Sequence, residues 1–306
     1  MRVAVIDIGT NSTRLLIGDV ADDRVVEVER DSIVTRLGHG VDTSGELDAA
    51  AIERVVDAIA GYRDRIESAG AQATVAVATS AVRDASNGEH FRSELERRVG
   101  VAARIIDGDE EAQMTFAGVT HDDQVAQEVR TVVIDIGGGS TEFIIGHEGE
   151  IDFHVSTQIG AVRHGERHLF SDPPTEQEVA ALLDDVTSII AADVPAAMLS
   201  SIQQGVAVAG TPTVLASVEQ ELVPFDPWKV HGYMLTREAC ERILARLSSM
   251  TLAERREVKG LHPDRAPTIV AGAAIMTAAM RAFDLEAVEV SEHDLLYGLA
   301  LRAAAD

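Results

Sequence analysis

The stretch Ile134 to Glu142, "IDIGGGSTE", joins an aspartate at the end of an apolar run to three glycines, two hydroxyl side chains and a glutamate. That set suits a phosphate. Glycines let the backbone turn and bring several N–H groups close to an anion, and Ser140 and Thr141 add hydroxyl donors. Asp135, at the strand end, is placed to hold Mg²⁺ directly or through water. The plainer alternative is a strand–turn–strand hairpin made of small residues. Against it stands a second copy. Ile6 to Arg14 reads "IDIGTNSTR", and over Ile6–Gly18 and Ile134–Gly146 eight of thirteen positions are identical at a constant offset of 128. One loop offers Asp7, Asn11, Ser12, Thr13 and Arg14. The other offers Asp135, Gly137, Gly138, Gly139, Ser140, Thr141 and Glu142. The copies differ at their last position, Arg14 against Glu142.

Two further stretches carry candidate chemistry. "ATSAVRDASN", from Ala78, leaves a strand and presents Thr79, Ser80, Arg83 and Asn87 at a loop-to-helix junction, where helix N-terminal amides favour anions. Ordinary helix capping by Thr79 or Ser80 is the alternative. "DGDEEAQ", Asp107 to Gln113, packs four acids into five residues; on its own this is what a helix dipole attracts to a first turn. His164 and His168 are four residues apart and share a helix face, but no third ligand is evident, so a surface or anion-contact role outweighs a metal site. No Walker-type phosphate loop, Rossmann glycine fingerprint or zinc-protease helix motif is present.

These residues need scaffolding, and the rest of the 306-residue chain provides it in two similar halves. Each begins with three hairpin-linked strands: Val3–Ile8, Thr13–Val20 and Val25–Asp31, then Thr131–Ile136, Thr141–Gly146 and Ile151–Ser156. An amphipathic helix follows in each, Leu47–Ser68 with Ile52, Val55, Val56, Ile59, Tyr62 and Ile66 on one face, and Thr175–Ala192. Strands at Thr74–Ala78, Ala103–Ile106, Gly205–Ala209 and Val288–Val290 alternate with helices over Gly88–Val99, from Asp109, Pro212–Gln220, Thr236–Met250, Ala266–Phe283 and Glu292–Ala304. The fold class is therefore α/β, with two duplicated domains flanking a cleft. The first is expected over residues 1–125, joined by the helix 292–306, and the second over 126–291, with the boundary in the polar stretch 120–130.

Composition narrows the function. A formal net charge of −25 argues against broad nucleic-acid binding. The longest apolar run, Ile269 to Met280, is twelve residues, short of the roughly 20 that span a membrane. Met1 to Ile6 is too short an apolar stretch before Asp7 to read as a signal peptide, so none is expected, and the single cysteine, Cys240, falls in the apolar rhythm of a helix. We expect a cytoplasmic protein with no membrane contact. Lys229 and Lys259 are the only lysines; that bias fits arginine's aptitude for phosphate, genome composition or a salt-adapted host equally well.

Together the motifs resemble the exopolyphosphatase/guanosine pentaphosphate phosphatase family of the acetate kinase–sugar kinase–Hsp70–actin superfamily. The carriers are "DIGTNSTRL" from Asp7, "ATSAVRDASN" from Ala78, "GDEEA" from Gly108, "DIGGGSTE" from Asp135, "GAVR" from Gly160 and "AGTPTVLAS" from Ala209, in the family's order over nearly the whole chain. The resemblance implies ribonuclease H-like (actin-like ATPase) domains in a short two-domain form. It implies Glu111 as general base, Asp135 in catalysis and metal binding with Asp7, and Mg²⁺ (or Mn²⁺) as cofactor. Arg83 and Glu142 complete the expected catalytic group. Asn11, Ser12, Thr13, Arg14, Thr79, Ser80, Gly137–Thr141 and Arg163 are the expected phosphate contacts. The implied reaction is hydrolysis of the terminal phosphoanhydride of inorganic polyphosphate. Guanosine pentaphosphate hydrolysis is the nearest alternative. An ATP-dependent kinase and a non-catalytic nucleotide sensor are remoter ones. Dimerisation, common in resembling proteins, is a further expectation. To guide a polyanion past so acidic a protein, a local basic track is expected from Arg163, His164, Arg167, His168, Lys229, His231 and Arg265.

Overall fold

The structure is a computed structural model, describing residues 1–121, 129–200 and 202–305. The chain divides into two compact units, Met1–Asp122 with His293–Asp306, and Asp123–Glu292. The expected boundary at 125/126 lies outside the described residues.

In the first unit, β1 (Arg2–Ile8), β2 (Ser12–Ala21) and β3 (Arg24–Val34) form an antiparallel meander. A short helix, α1 (Val41–Ser44), leads to α2 (Ala49–Ala69). Then come β4 (Ala73–Ala78), α3 (Ser80–Asp84), α4 (Gly88–Val99), β5 (Ala103–Ile105) and α5 (Gly108–Thr120). β4 and β5 join in parallel, giving the order β3-β2-β1-β4-β5. One face of this sheet is covered by α2 and α4 through Ile59, Tyr62, Phe91 and Leu95, and the apolar rhythm of α2 supplies the contact. A separate apolar cluster joins Val3, Val5, Leu16 and Val77 to α14 (Leu295–Ala305). Alternation along β1 explains the two clusters: Ala4, Ile6 and Ile8 belong to one, Val3 and Val5 to the other.

α14 also fixes α5. A Cβ on Gly298 would lie 1.8 Å from the Met114 carbonyl oxygen, and one on Gly118 would lie 2.2 Å from that of Asp294. The two helices approach closely only because both positions lack a side chain.

In the second unit, β6 (Thr131–Ile136), β7 (Thr141–His147) and β8 (Glu150–Thr157) repeat the meander. They are followed by α6 (Ala161–His168), α7 (Glu176–Asp193), α8 (Ala196–Leu199), β9 (Gln204–Val208), α9 (Gly210–Glu219) and α10 (Pro227–Val230). The remainder is β10 (Tyr233–Thr236), α11 (Arg237–Ser248), α12 (Leu252–Arg255), α13 (Ile269–Ala282) and β11 (Ala287–Val290). The sheet order is β10-β11-β9-β6-β7-β8. The repeat extends to its irregularities, since the ladder shifts register at Ile17/Gly18 in one unit and at Ile145/Gly146 in the other. β10 was not anticipated; a four-residue edge strand, "YMLT", carries too little alternation to stand out. α13 is buried from Ile269 to Met280, which accounts for its apolar run. Cys240 is a core thiol, fully buried, and burial pushes its pKa up to about 12. Among the described residues no helix is long and apolar enough to cross a membrane.

Candidate active site

Both glycine loops are built by the same local bonds. Gly9 N–H donates to the Ser12 carbonyl at 3.0 Å, and Gly137 N–H donates to the Ser140 carbonyl at 3.0 Å. Strand alternation then decides which side chains each loop presents. Ser12 Oγ is buried and has no hydrogen-bond partner among the described residues, whereas Thr13 Oγ1 lies 3.1 Å from Thr35 Oγ1 on the opposite side. In the second unit Thr141 Oγ1 donates to the Ile159 carbonyl at 2.8 Å. This corrects the expectation that both hydroxyls of each loop serve phosphate. Thr13 and Thr141 are fully buried and engaged in the scaffold, so the serines are the candidates.

The difference between the copies now has a physical meaning. Asp7 pairs across the ladder with Arg14, and Asp135 pairs at the same place with Glu142. In the first unit the pair is an ion pair: Arg14 Nε donates to Asp7 Oδ2 at 2.8 Å, and Arg14 Nη1 donates to Asp294. Arg14 was expected on the phosphate; instead its guanidinium is held by two carboxylates. Burial raises the Asp7 carboxyl above its usual range, and Arg14 offsets this only in part. For Asp294 burial acts the same way, but Arg14 and Arg30 outweigh it and the carboxyl lies below its usual range. Asp7 Oδ1 is buried with no hydrogen-bond partner among the described residues. In the second unit the register sets two acids opposite each other, both nearly buried, and Ser156 Oγ donates to Glu142 Oε1 at 2.7 Å. Like charges directly opposite on a sheet are destabilising unless a cation or a proton intervenes. The opposed acids Asp135 and Glu142 therefore fit a hard divalent cation with oxygen ligands.

Glu111 and its neighbour are sorted by α5. Asp107 caps the helix by accepting from Glu110 N–H at 2.8 Å. Glu110 is gripped by Arg104 at 2.7 and 2.8 Å and by Arg302 at 3.2 Å. Glu111 turns inward, is 7 % exposed, and accepts from Arg83 Nη1 at 3.2 Å; the same Nη1 donates to the Ile106 carbonyl at 3.0 Å. The structure thus brings Arg83 and Glu111 together. Thr79 and Ser80 are buried beside them in sequence, but α3 has only five residues, too short for the anion-attracting N-terminus that was expected. The Asn11 backbone carbonyl accepts from the Thr35 and Arg36 N–H groups at 3.0 and 2.9 Å, which fixes the loop.

Gly160 packs against the second loop so closely that a Cβ would lie 2.3 Å from the Gly138 carbonyl oxygen. Beyond it, the N–H groups of Ala161, Val162 and Arg163 donate to Gly137 and Gly138 carbonyls, and Arg163 Nε donates to the Gly139 carbonyl at 2.8 Å. Arg163 is therefore a brace for the loop. The basic track is also corrected. His164 is fully buried, and burial lowers its pKa to about 4, so it carries no charge at neutral pH. His168 bonds Asp185 at 2.8 Å, and Lys229 lies 3.8 Å from Asp226. Asp294 and Ser156 were missed, because nothing in the sequence near either points to its distant partner.

The two sheets, with their repeated meanders and glycine loops, define an α/β protein of the two-domain actin-like ATPase fold. The family model described as "Ppx/GppA phosphatase family" matches residues 16–304, and the chain belongs to that family. It is 36% identical over 316 residues to exopolyphosphatase 2 of Mycobacterium tuberculosis, covering 99% of this chain and 98% of the relative. The crystal structure of an exopolyphosphatase from Cytophaga hutchinsonii matches with a TM-score of 0.89 at 28% identity, covering 100% of this chain and 98% of the other. A guanosine-5'-triphosphate,3'-diphosphate pyrophosphatase of Pseudoalteromonas atlantica is 26% identical, with 97% of this chain and 58% of that relative covered.

Proposed function

We propose that the chain is an exopolyphosphatase, removing the terminal phosphate of inorganic polyphosphate as orthophosphate. The supporting observation is Glu111, inward on α5 and bonded to Arg83, while Glu110 is held outward by Arg104 and Arg302. In this reaction Glu111 orients a water molecule and takes one of its protons as the oxygen attacks the terminal phosphorus. The bridging P–O bond breaks, and the shortened chain leaves with the electron pair. Arg83 holds Glu111 in place. The Ser12 and Ser140 hydroxyls and loop N–H groups orient the phosphate. A divalent cation, Mg²⁺ or Mn²⁺, for which Asp135 and Glu142 are the candidate ligands, would neutralise phosphate charge when present. Positioning and charge stabilisation supply most of the rate in such transfers.

Guanosine pentaphosphate hydrolysis uses the same chemistry, and one relative is named for it. Phosphate release from long polyphosphate, short polyphosphate, guanosine pentaphosphate and ATP, each with Mg²⁺ and with EDTA, decides between them. Metal-dependent release greatest from polyphosphate is expected. Preference for guanosine pentaphosphate would move the assignment to that substrate, and release from none would remove the enzymatic reading.

A further inference from the structure

Away from the residues assigned above, α6 carries His164 and His168 four residues apart, and α7 brings Asp185 up to both. The imidazole rings stack with centroids 5.8 Å apart. Asp185 Oδ2 lies 2.8 Å from His168 Nε2 and 3.5 Å from His164 Nε2. One ligand atom from each residue lies within 4.8 Å of the other two, and among the described residues this is the one such group of three. His164 is fully buried, and its Nε2 has no hydrogen-bond partner although it faces the cluster. The side chains of His168 and Asp185 are partly exposed, which leaves a path from solvent.

We propose that His164, His168 and Asp185 form a site for one borderline-soft divalent cation, Zn²⁺ or its visible analogue Co²⁺, separate from the acids of the glycine loop. Imidazole selects such ions over Mg²⁺, which prefers oxygen. Ligand bonds of about 2.0–2.2 Å in a tetrahedron set donor atoms roughly 3.3 Å apart. The observed 2.8 and 3.5 Å separations straddle that value. Three protein ligands leave a fourth position for water.

Loading requires a change of tautomer. Gly160 N–H donates to His164 Nδ1 at 3.3 Å, so in the metal-free protein the ring proton sits on Nε2. Ligation through Nε2 releases that proton to solvent, and one is taken up at Nδ1. His168 likewise exchanges its Nε2 proton, which bonds Asp185, for one on Nδ1. No net charge leaves the rings, but Gly160 N–H loses its acceptor. Its amide is therefore a reporter for the site, independent of turnover.

The test titrates Co²⁺ into the full chain in excess Mg²⁺, following visible absorption and the ¹⁵N-labelled Gly160 amide. One equivalent should bind, with the absorption of a four-coordinate ion and a shifted Gly160 resonance. Asp185→Asn and His168→Gln should each weaken affinity at least about tenfold and abolish the absorption, with an unchanged circular dichroism spectrum. Co²⁺ affinity in either folded variant within twofold of the parent, or a Gly160 amide that does not respond in the parent, overturns the site.

Discussion

Asp294 offers the sharpest test of how the first glycine loop is held. Its side chain is 2% exposed, receives Arg14 and lies 3.6 Å from Arg30 Nη2, and accepts from Leu296 N–H at 3.0 Å. Asp294→Ala removes a buried ion-pair partner, worth about 3–5 kcal/mol, and a helix cap, worth about 0.5–2 kcal/mol. One carboxylate serves both roles, so the terms overlap, and a loss of about 4 kcal/mol is expected. At about 2–4 °C per kcal/mol, the melting temperature should fall by roughly 8–16 °C. The assay is urea unfolding combined with hydrogen exchange, in which β1 and β2 amides should lose protection while β6 and β7 keep theirs. The pH dependence has a definite sign. Asp294 is held below its ordinary value, so its contribution is complete above that value and lost as pH falls through the depressed one. The gap between parent and variant should therefore be constant near neutrality and shrink in acid. Asp7 acts in the opposite sense: its raised carboxyl means that stability falls as pH rises from the ordinary value to the raised one. A loss under about 1 kcal/mol, within the range of surface substitutions, would refute the claim that Arg14 is a structural anchor.

Three further outcomes are expected. Glu111→Gln should lower turnover by about 10²–10⁴-fold with little change in substrate binding, measured by phosphate release; near-normal turnover would remove its role as base. Glu142→Gln keeps an acceptor for Ser156 but removes one acid from the Asp135 pair. The rise in melting temperature caused by Mg²⁺ should therefore shift to at least about tenfold higher Mg²⁺, and an unshifted titration would confine Glu142 to the scaffold. Ala209 is a non-glycine residue at φ 71°, ψ −171°. Relief of about 1–3 kcal/mol of strain, less about 0.4–1 kcal/mol for the freer unfolded chain, should make Ala209→Gly more stable in urea, and a less stable variant would show that the strain is absent.

The duplication was legible because a 128-residue offset preserves both residue identity and strand order, down to the bulge glycines Gly18 and Gly146. Glu111 was singled out by resemblance, since three acids in a first turn look alike until packing turns one inward. Thr13 and Thr141 could have been read correctly: alternation along a strand sends neighbours to opposite faces, so Ser and Thr in "ST" cannot both face one ligand. Arg14 could not, because its second carboxylate lies 280 residues away. Asp185 was hidden for a related reason. The helix period of α6 predicts which face His164 and His168 share, but not which acid α7 sets opposite them.

The return of residues 293–305 to the first unit has a consequence for synthesis. The second unit is one unbroken segment, and all of it is synthesised before Asp294. The first unit begins earlier yet finishes later, because until α14 arrives Arg14 lacks its second carboxylate, Gly118 lacks the helix it was cleared to admit, and Val3, Val5 and Leu16 have no cover. The nascent chain thus carries an uncapped apolar sheet face throughout translation of the second unit, the condition in which chaperones bind and mistranslated chains aggregate. Its glycine loop and α5 are locked together only after the second unit has been made, so a chain interrupted within the second unit would carry residues 1–121 without the Asp294 and α14 contacts that hold them.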